Sequence, residues 1–275
     1  MSQARDIRYF AEIDSTNRWL RDAAGSGEAR HGTVVIADLQ TAGRGRLDRT
    51  WVAPPKSALL MSVLVDVPAI GLAMDRWPMV SFCMALAVEH CSNVLIGSSH
   101  GSSAGFSAGS FDGAHRVVLK WPNDVIASDE LESGSFGYRK LAGILVEASS
   151  GRLIVGVGVN LIRPPEVDPT LGVSARPIWL SELTNTGIDR HVFANAVIER
   201  FFQNVDTLNE SPDLLLQAYR AVLATIGWIV RIQSHGREWT AKAVDVDELG
   251  RLVVVDERGT HHLDVSEIVH IRPTQ

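Results

Sequence analysis

The run Lys140-Leu141-Ala142-Gly143-Ile144-Leu145-Val146-Glu147 constrains this chain more than any other feature. A second apolar run, Leu153 to Leu161, follows after a short turn and reads as its hairpin partner. Two core-type strands of this length require a substantial sheet around them. Gly156 and Gly158 alternate within the second run and leave one face of that strand bare, as happens where a ligand or another backbone approaches. Lys140 stands at the mouth of the first strand and Asn160 near the end of the second.

A second feature is Gln40-Thr41-Ala42-Gly43-Arg44-Gly45-Arg46-Leu47-Asp48-Arg49-Thr50-Trp51. The strand-like run Thr33 to Asp38 delivers the chain into it. Glycine permits close backbone approach and positive φ, and arginine presents a planar fork of donors to carboxylate and phosphate oxygens. Interleaved, they suit a loop that folds over an anionic ligand. A solvated basic turn and an arginine–glycine segment touching RNA are the alternatives at this point.

Other segments carry chemistry-bearing residues at element ends. Tyr9 to Ile13 reads as a short strand, followed by Asp14-Ser15-Thr16-Asn17 and a helical pattern through Trp19, Leu20, Ala23 and Ala24. Ser15 or Thr16 would cap that helix, and a helix start is also a natural anion site. Lys120-Trp121-Pro122-Asn123-Asp124 places a turn between two strands, with lysine and tryptophan expected to point into one corner. Ala58 to Val65 reads as a central strand, and Asp75 is expected to cap a helix running to about Cys91 with Pro78 in its first turn. Asp189 caps a long amphipathic helix, and Leu214 to Leu223 forms another. Gly97 to Ala114 is Ser/Gly-rich and reads as a surface insertion, as does 128–138. From Gly227 five short β-rich runs predict a small barrel. His261 and His262 alternate on one of them and read as surface groups.

Composition removes several classes. The 275 residues are 45% hydrophobic and 21% charged, ordinary for a globular chain. No apolar run reaches the roughly 20 residues of a membrane span, and no signal peptide is visible, so the expected location is cytoplasmic. A net charge of −6 disfavours a protein devoted to the phosphate backbone. Cys83 and Cys91 lie eight apart on a helical stretch, about 12 Å, too far for a disulfide. Only Lys56, Lys120, Lys140 and Lys242 are lysines, and two of them fall in the motif-like segments.

Taken together, Ser15-Thr16-Asn17, Gln40 through Trp51, Lys120 through Asp124, Lys140 through Glu147 and Gly156 through Leu161 resemble the biotin–protein ligases, in family order and over nearly the whole chain. The resemblance implies an α+β fold: a mixed β-sheet packed by helices over 1–224, then a small SH3-like β-barrel over 225–275. It implies activation of biotin by Mg2+-ATP to biotinyl-5′-AMP, then transfer to a lysine of the biotin carboxyl carrier domain of acetyl-CoA carboxylase or a related enzyme. Carried over residue by residue, Arg44, Arg46, Asp124 and Lys140 would be catalytic. Ser15, Thr16, Asn17, Gln40, Arg44, Gly45, Arg46 and Lys140 would hold biotin. Arg46, Arg49, Trp51, Lys120, Asn123, Asp124 and Asn160 would hold the nucleotide. Trp179 is open between adenine stacking and a core role. Asp48 stands where the family commonly has glycine, and both insertions are longer than expected. No helix-turn-helix precedes Tyr9, so DNA binding is not expected and a monomer is favoured over a dimer; without a long apolar run, no membrane partner is expected either. The rivals are a lipoate or octanoate ligase, an RNA-binding protein, and a carboxylase partner with a decayed site.

Overall fold

A computed structural model of the protein describes residues 5–47, 49–99, 117–130, 136–166, 176–234, 237–265 and 270–273. Asp48 and most of the 97–114 insertion lie outside them, as does the centre of the 128–138 segment. The flanks of that segment continue neighbouring strands.

In chain order the first part runs β1 (Ile7–Phe10), α1 (Thr16–Ser26), β2 (Val34–Ala37), β3 (Ala58–Asp66), α2 (Val67–Ile70), a 3-10 turn (Met74–Met79) and α3 (Val80–Ser99). It continues with β4 (Val117–Lys120), β5 (Asp124–Glu130), β6 (Phe136–Ser149), β7 (Arg152–Asn160), α4 (Arg190–Glu210) and α5 (Pro212–Ala221). The seven strands form one sheet in the order β1-β2-β3-β7-β6-β5-β4. Only β1 and β2 are parallel, and every other pair is antiparallel. The sheet is mixed, as expected, and the β6–β7 hairpin lies inside it.

Strand alternation separates the two faces. Val34, Ile36, Met61, Val63, Val155 and Val157 join the large core with α3, α4 and α5. Val35, Leu64 and Ile154 point the other way and pack on Leu20, Ala23 and Ala24 of α1. Ser62, Gly156 and Gly158 share this second face, because side chains of a strand alternate. α1 covers only part of it, and the uncovered remainder is where a cleft can form. Ser15 caps α1, accepting from Arg18 N, and Gly27 ends it at φ 80°.

The helix expected to start at Asp75 begins differently. Pro78 lies inside the 3-10 turn, Asp75 forms no cap, and the α-helix starts at Val80. Proline has no N–H to donate, so the regular ladder forms only beyond it. α3 is the apolar helix of the sequence. The stretch Met74–Gly97 is long and apolar enough to cross a membrane, but 67% of its most apolar 18-residue window is buried within the protein, as in a core helix.

The terminal strands are β8 (Ile229–Ser234), β9 (Arg237–Val246), β10 (Leu252–Asp256), β11 (Gly259–Leu263) and β12 (His270–Pro273). They form an antiparallel sheet in the order β11-β10-β9-β8-β12, and this overturns the expected SH3-like barrel. β11 and β12 lie on opposite edges with no pairing between them among the described residues, so the sheet is open. The physical reason lies in what covers its apolar face. Val230, Ile232, Ala241, Ala243, Leu252 and Val254 belong to the same core as α3 and α4. The Trp121 indole donates to Gly250 O at 3.0 Å, and Arg220 pairs with Asp245 at 2.7 Å. A face covered by its neighbour has no need to curl closed on itself.

Candidate active site

The chain leaving β1 and the chain leaving β2 run side by side. Thr41 N donates to Ile13 O at 2.9 Å and Ala42 N to Asp14 O at 2.8 Å. This sets the start of α1 against the start of the Gly-Arg loop. Ser15, Thr16 and Asn17 are all buried. The backbone N–H of Thr16 and its hydroxyl both donate to Gln40 Oε1, at 2.8 and 2.9 Å. That orientation leaves the amide nitrogen of Gln40 free of these contacts.

The loop folds back on itself. Gly45 N donates to Arg49 O at 2.6 Å and Trp51 N to Gly43 O at 3.0 Å. A Cβ on Gly43 would stand 2.3 Å from Trp51 O, so this turn requires glycine there. Two arginines tie the loop to its surroundings. Arg44 Nη1 donates to Glu147 Oε1 at 2.9 Å, and Arg46 Nη2 donates to Val265 O at 2.7 Å. Burial lowers the Arg46 pKa, opposed by Asp124 and aided by Arg49. The Trp51 ring lies on the bare strand faces, where a Cβ on Gly158 would meet it at 2.4 Å and one on Gly143 at 3.0 Å. Lys140 Nζ is 5.6 Å from the ring centroid, within cation–π range.

Asp124 anchors the opposite wall. Its Oδ1 lies 2.6 Å from Lys140 Nζ and its Oδ2 3.2 Å from Lys120 Nζ. Burial alone would raise its pKa. The two ammonium groups outweigh burial and hold the carboxyl well below the usual range, so Asp124 is ionised. Asn123 is fixed by exchange with β6: its Nδ2 donates to Ile144 O at 2.8 Å and its carbonyl accepts from Ile144 N at 2.9 Å. Asn160 Nδ2 donates to Lys140 O at 3.2 Å.

All the residues singled out from the sequence line a single cleft of about 270 Å³: Ser15, Thr16, Asn17, Gln40, Arg44, Gly45, Arg46, Arg49, Trp51, Lys120, Asn123, Asp124, Lys140 and Asn160. Trp179 lines it too, while being 7% exposed with the Arg163 guanidinium 5.7 Å from its ring. Trp121 does not. It is fully buried and turned toward Gly250, so Lys120 and Trp121 do not share a corner. A strand directs neighbouring side chains to opposite faces, and Lys120 took the cleft side.

Tyr138, Ser57 and Met61 line the cleft without having been picked out. Tyr138 stacks on Trp228 with centroids 5.8 Å apart, a partnership across sheets that no local pattern reveals. Ser62 was also missed, although a lone hydroxyl in the apolar run Ala58 to Val65 is a legible signal. His261 and His262 pair with Asp256 and Asp247 at 2.9 and 2.7 Å. Among the described residues no cluster of three or more His, Cys, Asp or Glu could hold a metal.

The fold and cleft match those of known protein ligases. The biotin/lipoate A/B protein ligase family matches residues 9–161, and the biotin protein ligase C-terminal domain matches 225–271. The chain is 31% identical over 273 residues to a biotin–[acetyl-CoA-carboxylase] ligase of Mycobacterium tuberculosis, covering 98% of this chain and 90% of that one. It is 23% identical to the bifunctional ligase/repressor BirA of Bacillus subtilis, covering 94% of this chain and 72% of that one. Among solved structures, the biotin protein ligase of Aquifex aeolicus in complex with biotin and ATP superposes with a TM-score of 0.76 at 24% identity, over 98% of this chain and 100% of that one. The chain belongs to the biotin–protein ligases, and it matches the monofunctional members more closely than the bifunctional ones.

Proposed function

We infer that the cleft joins the carboxylate of biotin to the α-phosphate of ATP and then passes the biotinyl group to a lysine amine. The observation that carries this reading is the cationic wall of the cleft. Arg44, Arg46, Arg49, Lys120 and Lys140 line it, and among the described residues Asp124 is the single carboxylate of its lining. Two anions must meet in the first step, and fixed positive charge lowers that barrier. A biotin oxygen attacks the α-phosphorus, the bond to the bridging oxygen breaks, and pyrophosphate leaves. In the second step the amine attacks the acyl carbon, the carbon–oxygen bond to AMP breaks, and the amine loses a proton.

In this division of labour Ser15, Thr16, Asn17 and Gln40 surround the ureido ring, with the Gln40 amide nitrogen offered as donor. Arg44 and Arg46 neutralise the reacting oxygens, with Gly45 letting the backbone come close. Lys140, steadied by Asp124, stays with the adenylate through both steps. Arg49, Trp51, Lys120, Asn123 and Asn160 serve the nucleotide side, and Trp179 offers a flat face for adenine. Mg2+ finds no resident site in this residue set. Both oxygens of Asp124 are held by lysines, so the ion would enter on the phosphates of ATP as part of the substrate. The partner would be a biotin carboxyl carrier domain, and the need for ATP favours the cytoplasm. A division of the chain at 224/225 is supported by the start of the C-terminal family match at residue 225. We favour a monomer.

The test is acid-dependent exchange of labelled pyrophosphate into ATP. Exchange with biotin and none with lipoate, lost by at least 100-fold in Lys140→Ala, is the expected result, a loss of about 3 kcal/mol of transition-state stabilisation. Exchange with lipoate instead would move the chain to the lipoate ligases.

A further inference from the structure

Glu147 lines no part of the cleft and has no task in the reaction above, yet it touches two of the segments that build it. On β6 it shares the cleft face with Gly143 and Leu145, and it lies opposite Ile154 of β7. Its Oε1 accepts from Arg44 at 2.9 Å and from Arg21 at 3.2 Å, and its Oε2 accepts from Asn17 Nδ2 at 2.7 Å. With only 18% of its side chain exposed, it is a well-covered anion between two guanidinium groups.

The carboxylate fixes the orientation of a buried amide. Asn17 is 4% exposed and must point its NH2 at Glu147, because its oxygen there would face an anion. Leu145 O, at 3.4 Å, favours the same orientation. Asn17 Oδ1 therefore faces Ser62 Oγ at 2.6 Å. Ser62 Oγ stands 2.7 Å from Thr16 Oγ1, which stands 2.9 Å from Gln40 Oε1. Along this line three oxygen–oxygen contacts share the protons of two hydroxyls, those of Ser62 and Thr16. With Asn17 presenting an oxygen, the line is one proton short and electron-rich. If Asn17 presented its NH2 to Ser62, every contact would hold a proton and the line would be saturated.

We propose that Glu147 is a positioning residue for biotin: by orienting Asn17 it keeps the Asn17–Ser62–Thr16–Gln40 line electron-rich, so that the cleft accepts N–H groups from a cyclic urea. It also docks Arg44, joining the state of the loop to the same anion. The inference rests on the reading that this end of the cleft holds biotin. Asn17 then also acts through its neighbours, its NH2 held by Glu147 and Leu145 O and its Oδ1 facing Ser62.

A double-mutant cycle tests it, with equilibrium binding of biotin and of ATP as readouts. Glu147→Gln preserves shape but lets Asn17 turn over, and the expected biotin Kd rises about 10- to 100-fold, the range for a mispaired buried polar group. ATP binding is expected to hold within about threefold, which also reports that the site is folded. Asn17→Asp alone sets two carboxylates together and weakens biotin as well. In the pair Asn17→Asp/Glu147→Gln, the carboxylate introduced at position 17 accepts from the amide introduced at position 147 on one side and from Ser62 on the other, and most of the lost affinity returns. A Glu147→Gln protein that binds biotin as the wild type does overturns the proposal. So does a double variant no better than either single one, whether it is folded or not. Failure of the wild type itself to bind biotin would instead overturn the reading of the cleft.

Discussion

At the scale of single residues, the balance between burial and neighbouring charges decides which ionisable groups keep their charge. Asp124 stays ionised because two lysines face it and outweigh burial, whereas the carboxylates near His31 do not outweigh its burial. Burial is the largest influence on His31, and Arg5 adds to it. Asp66 and Asp206 oppose them, and the net effect lowers its pKa. Its Nδ1 accepts from Asp66 N at 3.2 Å, a bond only the unprotonated nitrogen can accept, and its ring meets Phe202 edge-on. The unfolded chain thus binds this proton more readily than the folded one. The stabilisation is complete above the unfolded value of about 6.5 and fades as pH falls through it toward the lower folded value. Melting temperature is therefore expected to drop between pH 8 and pH 5.5, and His31→Gln should flatten that slope. His90, lowered by burial and by Arg200, keeps part of it. Equal slopes in the two proteins would refute the assignment. The residues of the cleft were largely legible because polar and charged side chains cluster in short motifs at or near element ends. Glu147 was visible only as part of a motif, since its partners lie 103 and 130 positions away in the chain.

At the scale of elements, the strands were legible from β-rich runs and the helices from their caps and spacing. β7 shows both the success and its limit. Its alternating glycines marked a close approach, but the sequence could not say to what. Ser62 and Gly156 are cross-strand partners, as are Gly143 and Gly158, so the three glycines of β6 and β7 leave gaps in the floor beside Ser62 of β3. Asn17 and Trp51 occupy them, from opposite ends of the cleft. A methyl at 158 would stand 2.4 Å from the Trp51 ring and cannot be accommodated without moving the indole. Gly158→Ala is accordingly expected to expel Trp51 from the floor and to cut biotin-dependent pyrophosphate exchange about 100-fold or more, while the melting temperature changes by only a few degrees. Exchange within about threefold of wild type would mean that the indole has no part in closing the site. The start of α3 was misplaced for a local reason, since an aspartate and a proline at helix-start spacing do not reveal that the first turn is 3-10.

At the scale of the whole molecule, the misreading of the terminal sheet follows from what covers its apolar face. Five short strands with an apolar face fit a closed barrel or an open sheet lying on a neighbour, and local periodicity is the same in both. The choice is made by residues far away. Gly250, at φ 80°, brings the β9–β10 turn against Met79 and Phe82, where a side chain would crowd Met79 at 3.0 Å. The same turn gives its carbonyl to Trp121, in the strand-turn that carries Lys120 and Asp124. The terminal sheet is thereby fastened to the back of the cleft wall. Val265, which follows β11, accepts from Arg46 at the front. Trp121→Phe removes the indole donor and leaves Gly250 O buried without it, at a cost of about 1–3 kcal/mol. Because one core runs through both sheets, that cost is expected to appear as an earlier midpoint of a single denaturation transition, with no separate melting of the terminal sheet. Activity should fall as well, through the seat of Lys120 and Asp124 and through Arg46. An unchanged midpoint, or a terminal sheet that unfolds on its own while exchange activity persists, would show that the sheet is only tethered to the site.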